Sequence, residues 1–247
     1  RLSDRILPAL FIKMFGDPVV NSCNLKTVPL GEIASFVGGG TPSRKIPEYF
    51  EGTTCWATSK DMGVDVLKDT QEHITVEAIT NSATKLVKSG CLLIVVKSKI
   101  LARYLPVART EVDTCFGQDL KAIVPHNQLL VRYLHRHLQI GQKTLLKMAR
   151  GVNTEGLTLE HLRNYPVLIP EENNKLKLFS EWDKHLETLR YSRVTSHDRL
   201  EDLFKTLLHQ AFTGTLTAAW RTAHMTELLQ EMEHQAKQLN LDLSPTP

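Results

Sequence analysis

The sequence predicts an α+β fold: a globular domain on a mixed sheet, followed by a long coiled-coil-like helix. Three observations predict it. Strand-like apolar runs and stretches of helical spacing alternate between residues 23 and 170. Phe179, Trp182, Leu186, Leu189, Arg193, Ser196, Leu200, Leu203 and Leu207 then follow a 3–4 alternation, with no Pro or Gly over residues 175–212. The end of that second region, LEDLFKTLLHQAFTGTL, also has a counterpart at the start of the chain, RLSDRILPALFIKMFGDP.

Taken in order, residues 2–16 read as the last turns of a helix, stopped by Gly16, Asp17 and Pro18. Leu30, Ile33, Ala34 and Val37 suggest a short helix ending at Gly38, Gly39 and Gly40. Thr53 to Ala57 suits a strand. Ile74 to Leu86 has helical spacing, and LLIVV at Leu92 to Val96 is a buried strand. Ile100 to Ala108 and Leu120 to Val124 are further strand candidates. Leu130 to Leu138 and Lys143 to Met148 read as basic amphipathic helices. Leu157 to Leu162 suggests a short helix before a strand at Pro166 to Ile169.

The stretch from 175 to 212 would be a rod of roughly 50 Å or more at 1.5 Å per residue. A single helix cannot bury such a stripe, so a partner helix is implied. Arg193 and Ser196 place polar groups in the seam, where they fix register or mark the divergence of the partner. A last helix spans Met225 to Leu239, with apolar positions at 225, 228, 229, 232, 236 and 239. In the repeat, Leu10 and Phe11 match Leu207 and Leu208, and Met14 and Phe15 match Ala211 and Phe212. The first copy reads as truncated, its rod missing.

At 247 residues, 42% of them hydrophobic, one large domain or two small ones are expected, with ample material for a core. No run of eighteen apolar residues is present, and the start lacks the order of a signal peptide, which reads as a soluble, cytoplasmic protein. Cys23, Cys55, Cys91 and Cys115 lie far apart without a CxxC pair, a spacing that suits buried thiols rather than a zinc knuckle or disulfide scaffold. Residues 78–154 hold twelve Lys and Arg against three acids, a net of +9, whereas residues 171–247 hold nine bases and twelve acids, a net of −3. A basic centre beside an acidic tail points to a polyanion partner for the centre, with a solvated lysine-rich surface as the alternative.

Four stretches carry candidate chemistry. GGGTPSRKIPEYF, residues 38–50, is not a Walker motif, since no Gly-Lys-Ser/Thr follows at the required spacing. Its glycines with Thr41, Ser43, Arg44 and Lys45 could still meet a nucleic-acid phosphate, or form an ordinary turn. LLIVVKSKI delivers Lys97, Ser98 and Lys99 at the end of a rigid strand. His135 and His137 sit two apart on a helix and do not share a face, so they are not a metal pair. Lys143, Lys147 and Arg150 line one helix face, fit for phosphate or for the helix dipole. No cofactor fingerprint, HExxH, GxSxG or paired-carboxylate nuclease pattern is present, and no metal site is expected.

With these pieces in view, the sequence resembles the specificity (S) subunits of type I restriction–modification systems. The matching stretches are VPLGEIASFVGGGTPSRKIPEYFEGTTCWATSKDM at 28–62, LVKSGCLLIVVKSKILARYLPVA at 86–108, GQDLKAIVP at 117–125 and GLTLEHLRNYPVLIP at 156–170. MFGDPVVN and LLHQAFTGTLTAAWR are similar to the family's helix ends. The order and spacing of these stretches carry the resemblance more than any one of them. Departures are KSK, where the family often has Ser-Gly, and Gly117, where Asn often precedes Gln118.

The resemblance implies a half-length subunit. Residues 1–22 would be the end of a preceding conserved helix with its linker, and 23–170 one target recognition domain that binds half of a bipartite double-stranded DNA site. Residues 171–217 would be a long conserved helix, and 218–247 a C-terminal helix and tail. The chain would be non-catalytic and hold no cofactor. It would dock methyltransferase subunits that use S-adenosylmethionine, and restriction subunits would complete the system. The DNA-proximal candidates are Thr41, Ser43, Arg44, Lys60, Lys97, Ser98, Lys99 and Arg103, then Lys143, Lys147 and Arg150. The partner-helix candidates are Phe179, Trp182, Leu186, Leu189, Leu200, Leu203 and Leu207. Two copies pairing their long helices would cover the seam; alternatively, the last helix folds back over it within one chain. A fused restriction–methylation enzyme and a non-DNA coiled-coil scaffold are the competing functions.

Overall fold

The computed structural model describes residues 2–149, 156–170 and 172–239. It comprises two compact units, Arg1–Leu186 and Glu187–Pro247. The first holds α1 (Leu2–Phe15), β1 (Lys26–Pro29), α2 (Leu30–Ile33), β2 (Ala34–Gly38), β3 (Thr54–Ala57), β4 (Val66–Leu67), β5 (Glu72–Ile74) and α3 (Val76–Thr80). There follow β6 (Leu92–Val95), β7 (Val107–Thr110), β8 (Thr114–Phe116), β9 (Leu120–Pro125), α4 (Leu130–Ile140), α5 (Gln142–Ala149), α6 (Leu159–Arg163), β10 (Pro166–Ile169) and the start of α7 (Asn173–Phe212). The remainder of α7, α8 (Ala218–Ala223) and α9 (Met225–Gln238) belong to the second unit.

The mixed sheet is present as five strands in the order β2-β9-β6-β7-β4, beside a three-stranded sheet β5-β3-β8 and a two-stranded pair β1-β10. Its centre is β6, every residue of which is buried, as a continuous apolar run requires. Pairing β1 with β10, in register from Lys26↔Ile169 to Pro29↔Pro166, closes the domain on itself. Beside that clasp, Phe11 and Phe15 of α1 meet Tyr133 of α4 and Phe179 of α7, with ring centroids 5.0–5.6 Å apart. Each phenylalanine buried this way contributes roughly 1.5–3 kcal/mol of transfer free energy.

Several expectations are corrected. The short helix at 30–37 stops after one turn, at Ile33, because Ala34 to Gly38 pair along β9 from Ala34↔Pro125 to Gly38↔Lys121. The stretch 74–86 is not one helix. Ile74 pairs with Thr54, Thr75 caps α3, and Val87 exchanges backbone hydrogen bonds with Thr114 at 3.0 and 2.9 Å, so the chain must leave the helix at Asn81. The strand expected from Ile100 starts only at Val107, since Ser98 caps a 3-10 turn over Lys99–Ala102. Strands β1, β4 and β8 and helix α8 were too short to register as periodicity. Leu130 to Leu138 is a core helix rather than a solvated basic one: Leu130, Val131 and residues 133–138 are all buried.

The long helix forms, 40 residues from Asn173 to Phe212. In the first unit its Leu176, Phe179 and Asp183 are buried. In the second unit Leu200, Leu203 and Leu207 are 63%, 54% and 42% exposed. Helix α9 therefore leaves the seam open, and the expectation that it folds back over it is not met. Gly214 closes the helix in the left-handed region at φ +71°, as Gly16 closes α1 at +81°. The matched apolar positions fare differently: Phe15 is buried and Phe212 is 86% exposed.

Candidate nucleic-acid interface

Strand order gathers the loops that the sequence singled out. Strands β2 and β6 both run antiparallel to β9, which lies between them, so they are parallel to each other. The pairs Gly38↔Lys121 and Val95↔Leu120 place their C-terminal ends at one end of the sheet. From there issue residues 39–45 and 96–103. Strand β7 enters at the same end, because Ile94 pairs with Val107. Strand β3 runs parallel to β8 with Ala57↔Phe116, and Gly117 N–H donates to the Ala57 carbonyl over 2.9 Å. That brings residues 58–64 to the same rim.

The glycine run is built for packing. A Cβ on Gly39 would lie 2.2 Å from the Gly117 carbonyl oxygen, and one on Gly40 2.4 Å from the Ala83 carbonyl carbon. Backbone fills the space that a phosphate cradle would leave open, which corrects that reading of Gly39 and Gly40. Trp56 Nε1–H donates to the Gly40 carbonyl over 3.1 Å and holds the turn. Beyond it Thr41, Ser43 and Arg44 are exposed. The Arg44 guanidinium makes two hydrogen bonds to Glu72, at 2.5 and 2.7 Å, and lies 4.3 Å from the Phe50 ring centroid and 5.3 Å from that of Trp56. Donation from Arg44 holds the Glu72 carboxyl below the usual carboxylate range. Lys60 is exposed. Its neighbour Asp61 accepts from the backbone N–H and hydroxyl of Thr58 and from Gln71 N–H.

Beyond β6 the backbone is anchored on both sides. Val96 and Lys97 N–H donate to the Asp119 carbonyl at 2.9 and 3.3 Å, and the Val96 carbonyl accepts from Leu157 N–H at 2.8 Å. Lys97, Lys99 and Arg103 stand exposed on this fixed base, with Ser98 half-buried and its hydroxyl accepting from Ile100 N–H. Leu105 N–H donates to Gln142 Oε1 over 3.2 Å, joining α5 to the rim. Lys143 and Lys147 of α5 are exposed; Arg150 lies outside the described residues.

The basic centre is less available than its charge suggests. Arg109 and Arg136 are buried and Arg132 nearly so, paired with Glu111, with Asp183 and Asp65, and with Asp183. His135 and His137 are buried and engaged with the Val107 carbonyl and Leu168 N–H. Burial pushes them down to about 4 and about 3, so both are neutral near pH 7. The rim also holds residues that sequence reasoning passed over: exposed Gln118 in the β8–β9 turn, half-buried Lys121 and exposed Tyr104. Lys121 is the single charged residue of β9, and its cation within an apolar run was the one sequence signal for it.

The partner-helix candidates fall into two groups. Phe179 is fully buried in the first unit and Leu186 is half-buried, while Trp182 is 52% exposed. In the second unit Leu189, at 65%, joins Leu200, Leu203 and Leu207 as an exposed stripe.

Residues 24–194 match the family of the type I restriction modification DNA specificity domain. The chain is 34% identical over 158 residues to the EcoR124I/EcoR124II specificity subunit of Escherichia coli, a match covering 63% of this chain and 39% of that protein. It is 27% identical over 191 residues to the MjaIX specificity subunit of Methanocaldococcus jannaschii, covering 73% and 42%. The matches thus span about two fifths of the length of those relatives. Among solved structures, the HsdS subunit from Thermoanaerobacter tengcongensis superposes with a TM-score of 0.53 at 19% identity, over 86% of this chain and 51% of that one. A chain of a type I restriction–modification system solved for its complex assembly gives 0.51 at 19%, over 86% and 54%. At these identities the likeness concerns the fold.

Proposed function

The chain belongs to the type I restriction modification DNA specificity family, and from that premise we propose that it reads one half of a split double-stranded DNA target. One observation supports this above the rest: one end of the five-stranded sheet carries the loops at 39–45, 97–106 and 117–119, and residues 58–64, which leave β3 of the three-stranded sheet, join that rim, with Arg44, Lys60, Lys97, Lys99 and Arg103 all exposed. Lysines and arginines at such a rim neutralise phosphates and fix register, while Thr41, Ser43, Ser98, Gln118 and the arginines reach base edges. Lys143 and Lys147 extend the phosphate track along α5. The domain division at 22/23, 170/171 and 217/218 follows the same reading.

In this proposal the chain performs no catalysis. Methyltransferase subunits using S-adenosylmethionine dock on the long helix, restriction subunits join the assembly, and the complex acts on DNA in the cytoplasm. Among the described residues no helix is long and apolar enough to cross a membrane. A second copy of the chain, packed along Leu189, Leu200, Leu203 and Leu207, supplies the other half-site reader, and the target is then palindromic.

Titration of duplex DNA at several salt concentrations, with and without the modification subunit, tests the reading. The logarithm of affinity should fall linearly with the logarithm of salt, by about 0.9 for each phosphate neutralised. Absence of binding with the modification subunit present overturns it. Methylome sequencing of cells with and without the gene then identifies the target as the bipartite motif that is lost.

A further inference from the structure

We propose that Cys55, Asp69 and His73 form a binding site for a divalent ion of the zinc class. Cys55 on β3 and His73 on β5 are direct cross-strand partners. Side chains so paired leave the sheet on the same face, about 5 Å apart. Asp69, in the connection ahead of β5, reaches between them. Its Oδ1 lies 2.7 Å from His73 Nε2 and 3.6 Å from Cys55 Sγ, and the three donor atoms all lie within 4.8 Å of one another. Among the described residues this is the one place where three such donors converge.

The geometry suits an ion of that size. Bonds of about 2.0–2.3 Å at tetrahedral angles separate neighbouring donors by about 3.2–3.8 Å. The imidazole and carboxylate need to part by well under 1 Å, and the thiol is already at range of the carboxylate, at 3.6 Å. The carboxylate is pre-set, because Thr70 N–H donates to the same Oδ1 at 2.9 Å. Thr70 is in turn fastened to both strands: its hydroxyl accepts from Trp56 N–H at 3.0 Å and donates to the Glu72 carbonyl at 2.7 Å.

The donor set selects the ion. One sulfur, one imidazole nitrogen and one carboxylate oxygen form a mixed set that zinc accepts, whereas calcium and magnesium take oxygen. Three protein ligands leave a fourth position for water. The solvent exposure of Asp69, 73% at the side chain, and of His73, 32%, admits both ion and water. The next pair along the same strands, Trp56↔Glu72, faces the other side of this small sheet and holds Arg44. The ion would therefore pin β3, β5 and their connection beneath the side chains that position Arg44.

Cobalt(II) is the probe, used on the full chain freed of metal by a chelator. Cys23, the exposed cysteine, is replaced by Ser in every protein tested. One cobalt per chain should produce a thiolate-to-cobalt charge-transfer band with tetrahedral d–d absorption, and one equivalent of zinc should displace it. Zinc should raise the melting temperature of this protein. Cys55→Ser should abolish the band. Asp69→Asn keeps an oxygen that can accept from Thr70 N–H, so it should leave the metal-free chain folded and cooperatively melting. It should weaken cobalt binding by at least the roughly tenfold that loss of an outer-shell partner costs. Lack of a charge-transfer band in a cooperatively melting chain overturns the proposal. So does a band that survives Cys55→Ser, or cobalt affinity untouched by Asp69→Asn.

Discussion

Arg136 of α4 donates from Nε to Oδ1 of Asp183 on α7 over 3.0 Å, with both side chains almost closed to solvent. The other Asp183 oxygen accepts from Arg132 at 2.6 Å. Arg136 also reaches Asp65 at 3.0 Å, and Gln139 donates to the same carboxylate at 2.8 Å. One network thus joins the first turns of the long helix, the core helix and the connection that follows the rim loop at 58–64.

Removing Asp183 should be severe. Asp183→Ala leaves two guanidinium groups without their shared partner in a dry site, a loss of about 3–5 kcal/mol. Asp183→Asn keeps the shape and some hydrogen bonding and should cost less. Urea titration followed by circular dichroism measures both. A loss under about 1 kcal/mol for the alanine variant would show that the network relaxes into solvent.

Acid should destabilise the domain well before its carboxylates titrate. His135 and His137, held down to about 4 and about 3 by burial, stay neutral in the folded chain while an unfolded chain takes up protons below its ordinary value near 6.5. Stability is full above about pH 6.5 and falls as pH drops toward 4, by up to about 1.4 kcal/mol per pH unit for each histidine. For Asp65, burial alone would raise the carboxyl, but Arg136 and Gln139 outweigh it and bring it to about 2. Its contribution is present above about pH 4 and is lost as pH falls through about 2. Urea midpoints that do not change between about pH 7 and about pH 5 would contradict this.

The glycines at the rim should separate packing from ligand contact. Gly39→Ala drives a methyl into the Gly117 carbonyl and should lower the melting temperature by several degrees. Gly38→Ala meets only the flexible end of Lys121, at 3.2 Å, and should be tolerated. Equal melting temperatures for the two variants would refute the packing account.

Lys97 and Lys99 should serve DNA and not the fold. Both are exposed, so replacing the pair by Ala should leave the melting temperature unchanged. Duplex affinity should fall across all sequences, and the salt slope should shrink by about 2. Unchanged binding within error would remove this loop from the proposed interface.

The exposed stripe should make the chain dimeric. Each leucine covered contributes roughly 1.5–3 kcal/mol before ordering costs. Sedimentation of the intact chain should show a dimer, and a chain ending after Ala219 should remain one. Replacing Leu203 and Leu207 together by Glu should yield a monomer whose first unit melts as before. A monomeric intact chain would refute pairing through this seam.

Much of the fold was legible in the residues themselves. The uninterrupted 3–4 alternation over 175–212 became one helix, and LLIVV became the buried central strand, because period and continuous apolarity are properties of neighbouring residues. The failures share a cause. Ala34 to Val37 carry helical spacing but pair with a strand almost ninety residues later, and no local pattern reports a distant partner. Arg109, Arg132 and Arg136 count as surface charge until Glu111, Asp65 and Asp183 are found beside them.

The sequence by itself determined the long helix over 175–212 and the buried strand at 92–96, which cations end that strand, and that a long apolar stripe needs covering. Only the tertiary structure decided that residues 39–45, 97–103 and 117–121 share one end of the sheet, that Gly39 packs on backbone, and that Cys55, Asp69 and His73 meet. The first set follows from i, i+2 and i, i+3/i+4 spacing, which chain geometry alone imposes. The second depends on strand order and register, which are chosen by the free energy of the whole packed core.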